Sequence, residues 1–294
     1  MRFGPDQIIK CPHCGFLAKK QNCLSGNGFG ATLWSDGKVD APMLPDLPIV
    51  TKCRNCQNFY WVDTAEIIGE IDFDDRSEIW KEVEFVRNLT LDEFAEAIDM
   101  GVGDNVQRQR YLLLQFWWSL NDKIRYDRSA LSFAREIRER QTVSASSDEN
   151  ENQELIASQD ETQSQDDPVD LSYLFDYLFD ENRPNYQPLS SEDESGYLKN
   201  SCDPSIEDTI NARNFILSQY EEKLQDYLPK LSALLDENDL NDQIMKAEIA
   251  RATGNFAEAI RLLETIPDKY RWITNTLIPL AQQGNRWVTE LSRD

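Results

Sequence analysis

Cys11-Pro-His-Cys14-Gly15 and Cys53-Arg-Asn-Cys56-Gln57 decide how the N-terminal part of this chain folds. Two residues between cysteines let one tight turn present both sulfurs to a single ion. N–H groups of the same turn can then hydrogen-bond the thiolates. Two such turns supply four thiolates, the tetrahedral set preferred by structural Zn²⁺. Cys11, Cys14, Cys53 and Cys56 are therefore the expected metal ligands and zinc the expected ion, with iron or unmetallated redox thiols as the alternatives. Four thiolates fill a coordination shell, so the site should hold a domain together rather than catalyse. Gly15 follows the first pair, where a positive φ is often needed, whereas Gln57 stands there in the second.

The paired knuckles resemble the zinc-ribbon family over residues 8 to about 63. That resemblance implies a small antiparallel sheet bracketed by the knuckles. The 38 residues between them exceed the compact pattern of about 15–20, so an insertion is required. Phe29-Gly-Ala-Thr-Leu-Trp34 reads as a strand, Ser35-Asp36-Gly37-Lys38 as a hairpin turn and Phe59-Tyr-Trp-Val62 as a third strand. His13 lies between two chelating cysteines and points away from their ion; Cys23 is the other weak ligand candidate. Cys202, in an acidic loop, reads as a free thiol.

Charge is unevenly spread. The 294 residues carry a formal charge of −23 with one histidine. By segment the balance is +3 over residues 1–62, −7 over 63–142, −16 over 143–208 and −3 over 209–294. The stretch 142–167 has few large apolar residues, so it reads as an acidic disordered linker. The acidity argues against nucleic-acid binding over the whole surface. It leaves open a small contact through Lys10, Lys19, Lys20, Lys38, Lys52 and Arg54 beside Trp34 and Tyr60, which look exposed.

Beyond residue 63 the apolar period becomes helical. Thr90 caps a helix with Leu91, Phe94, Ala95 and Ile98 on one face, ended by Gly101-Val-Gly103. Asp104 to about Arg125 is apolar on nearly every side around Tyr111–Trp118 and reads as a buried helix. Leu131–Arg140 is amphipathic. Leu171, Leu174, Phe175, Leu178 and Phe179 mark a short acidic amphipathic segment that either recognises a partner or docks on its own domain. A heptad-like run over 205–236 is expected to break at Pro229 into two helices. In Ile244–Leu263, the residues Ala247, Gly254, Asn255, Phe256 and Ala259 resemble the small-residue, turn and aromatic positions of a tetratricopeptide hairpin. Lys246 and the early Pro267 depart from that pattern, and no 34-residue period recurs. Tyr270–Gln283 and a short terminal helix near Trp287 complete the expected elements.

The expected fold class is α+β, mainly α: a zinc ribbon at 1–63, a helical segment at 64–141, the linker at 142–167 and a tetratricopeptide-like helical domain at 168–294. The first residues lack a secretory apolar core and no apolar run approaches the roughly 20 residues of a membrane span, so a cytoplasmic, soluble chain is expected. Two other motifs carry no expected chemistry. Ser25-Gly-Asn-Gly-Phe-Gly30 leads into a strand rather than a helix, and Asp72, Asp74 and Asp75 lack the spacing of a Ca²⁺ loop. With one histidine, no catalytic or cofactor-binding residues are expected. The functional expectation is a non-enzymatic zinc protein that binds another protein. The alternatives are a nucleic-acid or transcription-associated zinc ribbon, and an enzyme with a pocket near Trp117, Trp118, Asn121, Asp122 and Arg125.

Overall fold

The computed structural model describes residues 2–71, 80, 82–147 and 206–292. Outside the described residues lie most of the expected acidic linker, the segment Leu171–Phe179, Asp72, Asp74, Asp75 and Cys202. The chain divides into two compact units, residues 1–120 with 227–294, and residues 121–226. The fold is α+β and mainly α.

In the first unit, short antiparallel strands precede the helices. β2 (Asp6–Lys10) lies between β3 (Leu17–Lys20) and β9 (Glu66–Ile71), with Lys10 opposite Leu17 and Glu66. β7 (Val50–Lys52) pairs with β8 (Phe59–Trp61), placing Lys52 opposite Phe59. Both pairs are hairpins whose turns contain the cysteines. β1 (Arg2–Phe3) pairs with β4 (Cys23–Ser25). β5 (Thr32–Trp34) and β6 (Val39–Asp40) form the expected hairpin, turning on Gly37 at φ 78°. Only the end of the expected strand Phe29–Trp34 is extended.

Two strands stand where helices were expected. β9 falls where the period had been read as helical; Glu-Ile-Ile-Gly-Glu-Ile does not alternate, and Ile67 and Ile68 are both exposed. β10 (Glu290–Leu291) pairs with β5 and replaces the terminal helix expected near Trp287. The reason is a buried side chain. Arg251, 0% exposed, donates to the carbonyls of Asn285 and Trp287 at 2.7 Å each, which removes those groups from any local helix. Arg251 also pairs with Glu248, and Glu248 accepts from Ser35 Oγ at 2.6 Å. Ser35 and Thr289 then exchange hydrogen bonds through Ser35 N, Ser35 Oγ and Thr289 N, so the terminal segment is held against the β5–β6 turn.

Helix α1 (Leu91–Asp99) has the expected Thr90 cap, completed as a capping box by Glu93. Its C-terminal turn ends at Gly101, φ 69°. α2 (Val106–Ile124) buries Leu112, Phe116, Trp117 and Leu120. Trp118 donates its indole N–H to Asp36 O at 2.9 Å. Within this unit Phe116 meets Tyr227 edge-on at 4.9 Å, and the Tyr227 hydroxyl donates to Asp99 at 2.5 Å. The expected helical hairpin is present as α5 (Leu240–Ala252) and α6 (Phe256–Leu263). They turn at Gly254, φ 82°, with Ala247 and Ala259 wholly buried. α7 (Arg271–Gln282) follows.

In the second unit, α3 (Asp127–Ser147) lies along α4 (Ile206–Ala233) as far as Asp226, with Phe133 stacked on Tyr220 at 6.4 Å. The backbone of α3 is helical through residues 142–147, the expected start of the linker. Arg213 donates to Ile124 O and pairs with Asp127 at 2.9 Å. Asn121 and Arg125 are buried, and Arg125 pairs with Asp122 at 2.7 Å.

Pro229 does not split the 205–236 run; it sits inside α4. The helix needs only one more turn beyond it, and Leu228 and Leu231, both wholly buried, draw that turn into the core. Among the described residues, no helix is long and apolar enough to cross a membrane.

Candidate metal centre

The two knuckles repeat one construction. In the first turn Cys11 N donates to Phe16 O and Gly15 N donates to Cys11 O, both at 2.9 Å. The second turn makes the same pair of bonds, Cys53 N to Asn58 O and Gln57 N to Cys53 O, again at 2.9 Å. Gly15 has φ 73° and Gln57 φ 61°, so the corresponding position is left-handed in both turns. Gln57 adopts a conformation that glycine takes more readily, and its side-chain amide donates to Arg54 O at 2.8 Å.

These turns bring the four sulfurs of Cys11, Cys14, Cys53 and Cys56 within 4.8 Å of one another. Cys14 Sγ lies 3.6 Å from Cys53 Sγ, and Cys11 Sγ 3.9 Å from Cys56 Sγ. Sulfurs tetrahedrally placed about 2.3 Å from a central ion are about 3.8 Å apart, whereas a disulfide needs about 2.05 Å. The observed spacings fit an ion and not a bond. Among the described residues this is the one group of cysteine, histidine and carboxylate donors close enough to hold a metal without being merely a set of exposed acids.

The site rests on an apolar floor of Ile9, Tyr60, Val62 and Ala65, with Cys11 and Cys53 buried in it. Burial pushes the Cys11 thiol up to about 12. Cys14 is drawn down to about 6, first by the backbone N–H of Phe16 and then by the Asn55 amide. Burial also raises Cys56, against the N–H of Asn58, and raises Tyr60 in the company of the thiolates. Four adjacent sulfurs cannot all ionise alone at low cost, and a bound cation is what holds buried thiols as thiolates.

His13 and Asn55 occupy the variable positions of the two knuckles and link them. His13 Nε2 donates to Phe59 O at 3.1 Å, and Asn55 Nδ2 donates to Cys14 Sγ at 3.6 Å. His13 is therefore turned toward the second hairpin rather than into the sulfur cluster. Asn55 was not singled out in the sequence; only its place inside a Cys-x-x-Cys turn hinted at it. Cys23 lies apart, its sulfur beside Arg2 O at 3.9 Å.

Four of the six basic residues singled out in the β region are engaged with carboxylates, and Lys19 stands over the Phe85 ring. Lys10 pairs with Glu66, Lys38 with Asp40, Lys52 with Glu96 at 2.7 Å and Arg54 with Glu84. Trp34 and Tyr60, whose exposure the nucleic-acid alternative requires, are 6% and 5% exposed. Tyr60 packs beneath the cysteines, while Trp34 donates to Asp40 at 3.0 Å.

A comparison of the chain with protein-family models, curated proteins and solved structures found no match.

Proposed function

We propose that this is a cytoplasmic, non-enzymatic zinc protein whose Cys11, Cys14, Cys53 and Cys56 hold a structural Zn²⁺ and whose β region presents a surface to another protein. The observation that carries the metal assignment is the gathering of four sulfurs within 4.8 Å of one another on two matched hairpin turns, at spacings that suit a tetrahedral ion. All four ligand positions are thiolates, so the ion would supply cross-linking of the two hairpins rather than an open coordination position. The β region, taken with the α5–α6 hairpin, is read as a zinc ribbon joined to a tetratricopeptide-like helical pair.

The interaction role is supported by where apolar surface remains. Of the eleven large apolar side chains exposed among the described residues, ten lie between Phe16 and Val106 and none beyond Tyr126. Leu24, Phe29, Met43 and Leu44 are among them, and Leu44 and Met43 stand against Gly26. A contiguous patch of exposed apolar side chains marks a contact surface, and Leu44 beside Gly26, two residues from Leu24, is where such a patch would begin. Crosslinking of the full chain in its native cells tests this. A partner retained by the native chain and lost in Leu24→Ser/Phe29→Ser is expected; no partner above background contradicts the adaptor role.

The nucleic-acid reading has weaker support, because Lys10, Lys38, Lys52 and Arg54, four of the six cations that would meet phosphates, are paired with acids and the candidate stacking rings are buried.

A further inference from the structure

The four cysteines are alike in sequence pattern but not in access. Cys11 and Cys53 are 1% and 3% exposed, Cys56 is half-buried and Cys14 is exposed. Across the two knuckles, the Cys14 sulfur lies 3.6 Å from that of Cys53. We infer that Cys14 is a modification site, the cluster thiolate that a hydroperoxide or soft electrophile reaches first, and that Cys53 is the thiol that resolves it. The order of reaction depends only on access; the accompanying release of the ion rests on the structural zinc site proposed above.

The chemistry balances as follows for hydrogen peroxide. The Cys14 thiolate attacks one peroxide oxygen, the O–O bond breaks, and a hydroxide leaves and takes a proton from solvent to become water. Cys14 is then a sulfenic acid. The Cys53 thiolate attacks that sulfur, the S–S bond forms, the S–O bond breaks, and the second hydroxide leaves as water after protonation. Two thiolates have lost two electrons, peroxide has gained them, and two solvent protons have been consumed. The sulfurs need only close from 3.6 Å to about 2.05 Å, and Cys53 needs no access to solvent because its partner is already beside it. The resulting bond joins one hairpin turn to the other and withdraws two of the four donors from the ion.

Asn55 moderates the rate without setting the order. Its amide donates to Cys14 Sγ at 3.6 Å, and a thiolate already kept deprotonated by a metal is a weaker nucleophile when it accepts a hydrogen bond. Cys23 is outside this arrangement and serves as an internal control.

The test uses the full-length chain, with its zinc content measured first. Limited treatment with iodoacetamide, followed by peptide mass mapping, is expected to modify Cys14 at least about tenfold faster than Cys11 or Cys53. Hydrogen peroxide is expected to release one zinc for each Cys14–Cys53 disulfide formed, with dithiothreitol and added zinc restoring the starting state. Asn55→Ala, which keeps every ligand, is expected to release zinc several-fold faster under the same peroxide. Equal labelling of Cys11 or Cys53, or a disulfide confined to Cys11 and Cys14, would overturn the inference. A chain purified without metal would instead overturn the zinc site, while the labelling order would still decide whether Cys14 reacts first.

Discussion

Gln57 shows how strongly the local turn is imposed. It carries the positive φ of 61° that Gly15 carries in the first knuckle, and it compensates with a side-chain bond to Arg54 O. A β-branched side chain cannot tolerate this backbone, so Gln57→Val is expected to cost about 1–2 kcal/mol in chemical denaturation. Gln57→Gly should be tolerated. Equal effects of the two would mean that the left-handed turn does not matter. The glycine at position 15 was legible in the sequence as a turn residue, and so were the four ligands, because Cys-x-x-Cys encodes its own geometry. The roles of His13 and Asn55 were not legible. Each depends on the opposite hairpin, which sequence spacing does not place.

At the level of elements, α1 is the clearest case of a local code. Thr90 Oγ1 accepts from Glu93 N at 3.2 Å, Glu93 Oε2 accepts in return from Thr90 N at 2.9 Å, and Arg87 donates two bonds of 2.6 Å to Glu93. The Arg87 guanidinium draws the Glu93 carboxyl down to about 2. A carboxylate with a lowered folded-state value stabilises the fold above its ordinary value and loses that contribution as pH falls. The contribution of Glu93 should thus be whole above about pH 4.5 and fade toward pH 2. Glu93→Gln is expected to flatten the stability profile in that window and to cost about 1 kcal/mol at neutral pH; an unchanged profile would contradict the pairing. The Thr90 cap, the Gly254 hairpin and the β5–β6 turn were all legible, since capping and turn residues act over three or four positions. β9, β10 and the unbroken α4 were not. β9 lacks alternation, β10 is extended because Arg251 captures carbonyls from a distant helix, and Pro229 is overridden by the burial of Leu228 and Leu231.

Across the first unit, the N-terminal strands and the C-terminal residues are joined by one buried polar network. Arg251→Met would leave Glu248, 1% exposed, without its cation, at an expected cost of about 3–5 kcal/mol in equilibrium unfolding. The double replacement Glu248→Leu/Arg251→Met should be less harmful than the single one, and a harsher effect of the double would contradict the account. Charge also acts at this scale. Three of the basic residues in the first 62 positions, Lys10, Lys52 and Arg54, are paired with Glu66, Glu96 and Glu84. The full chain is therefore expected to show no salt-dependent binding of single-stranded DNA, and a steep salt dependence would revive that alternative. What the whole proposal stands on is the ion. Native mass spectrometry of the full chain, purified without added metal, should find one zinc per molecule, absent from both Cys11→Ser and Cys53→Ser. A chain that carries no metal, or one that keeps zinc when either cysteine is replaced, would contradict it.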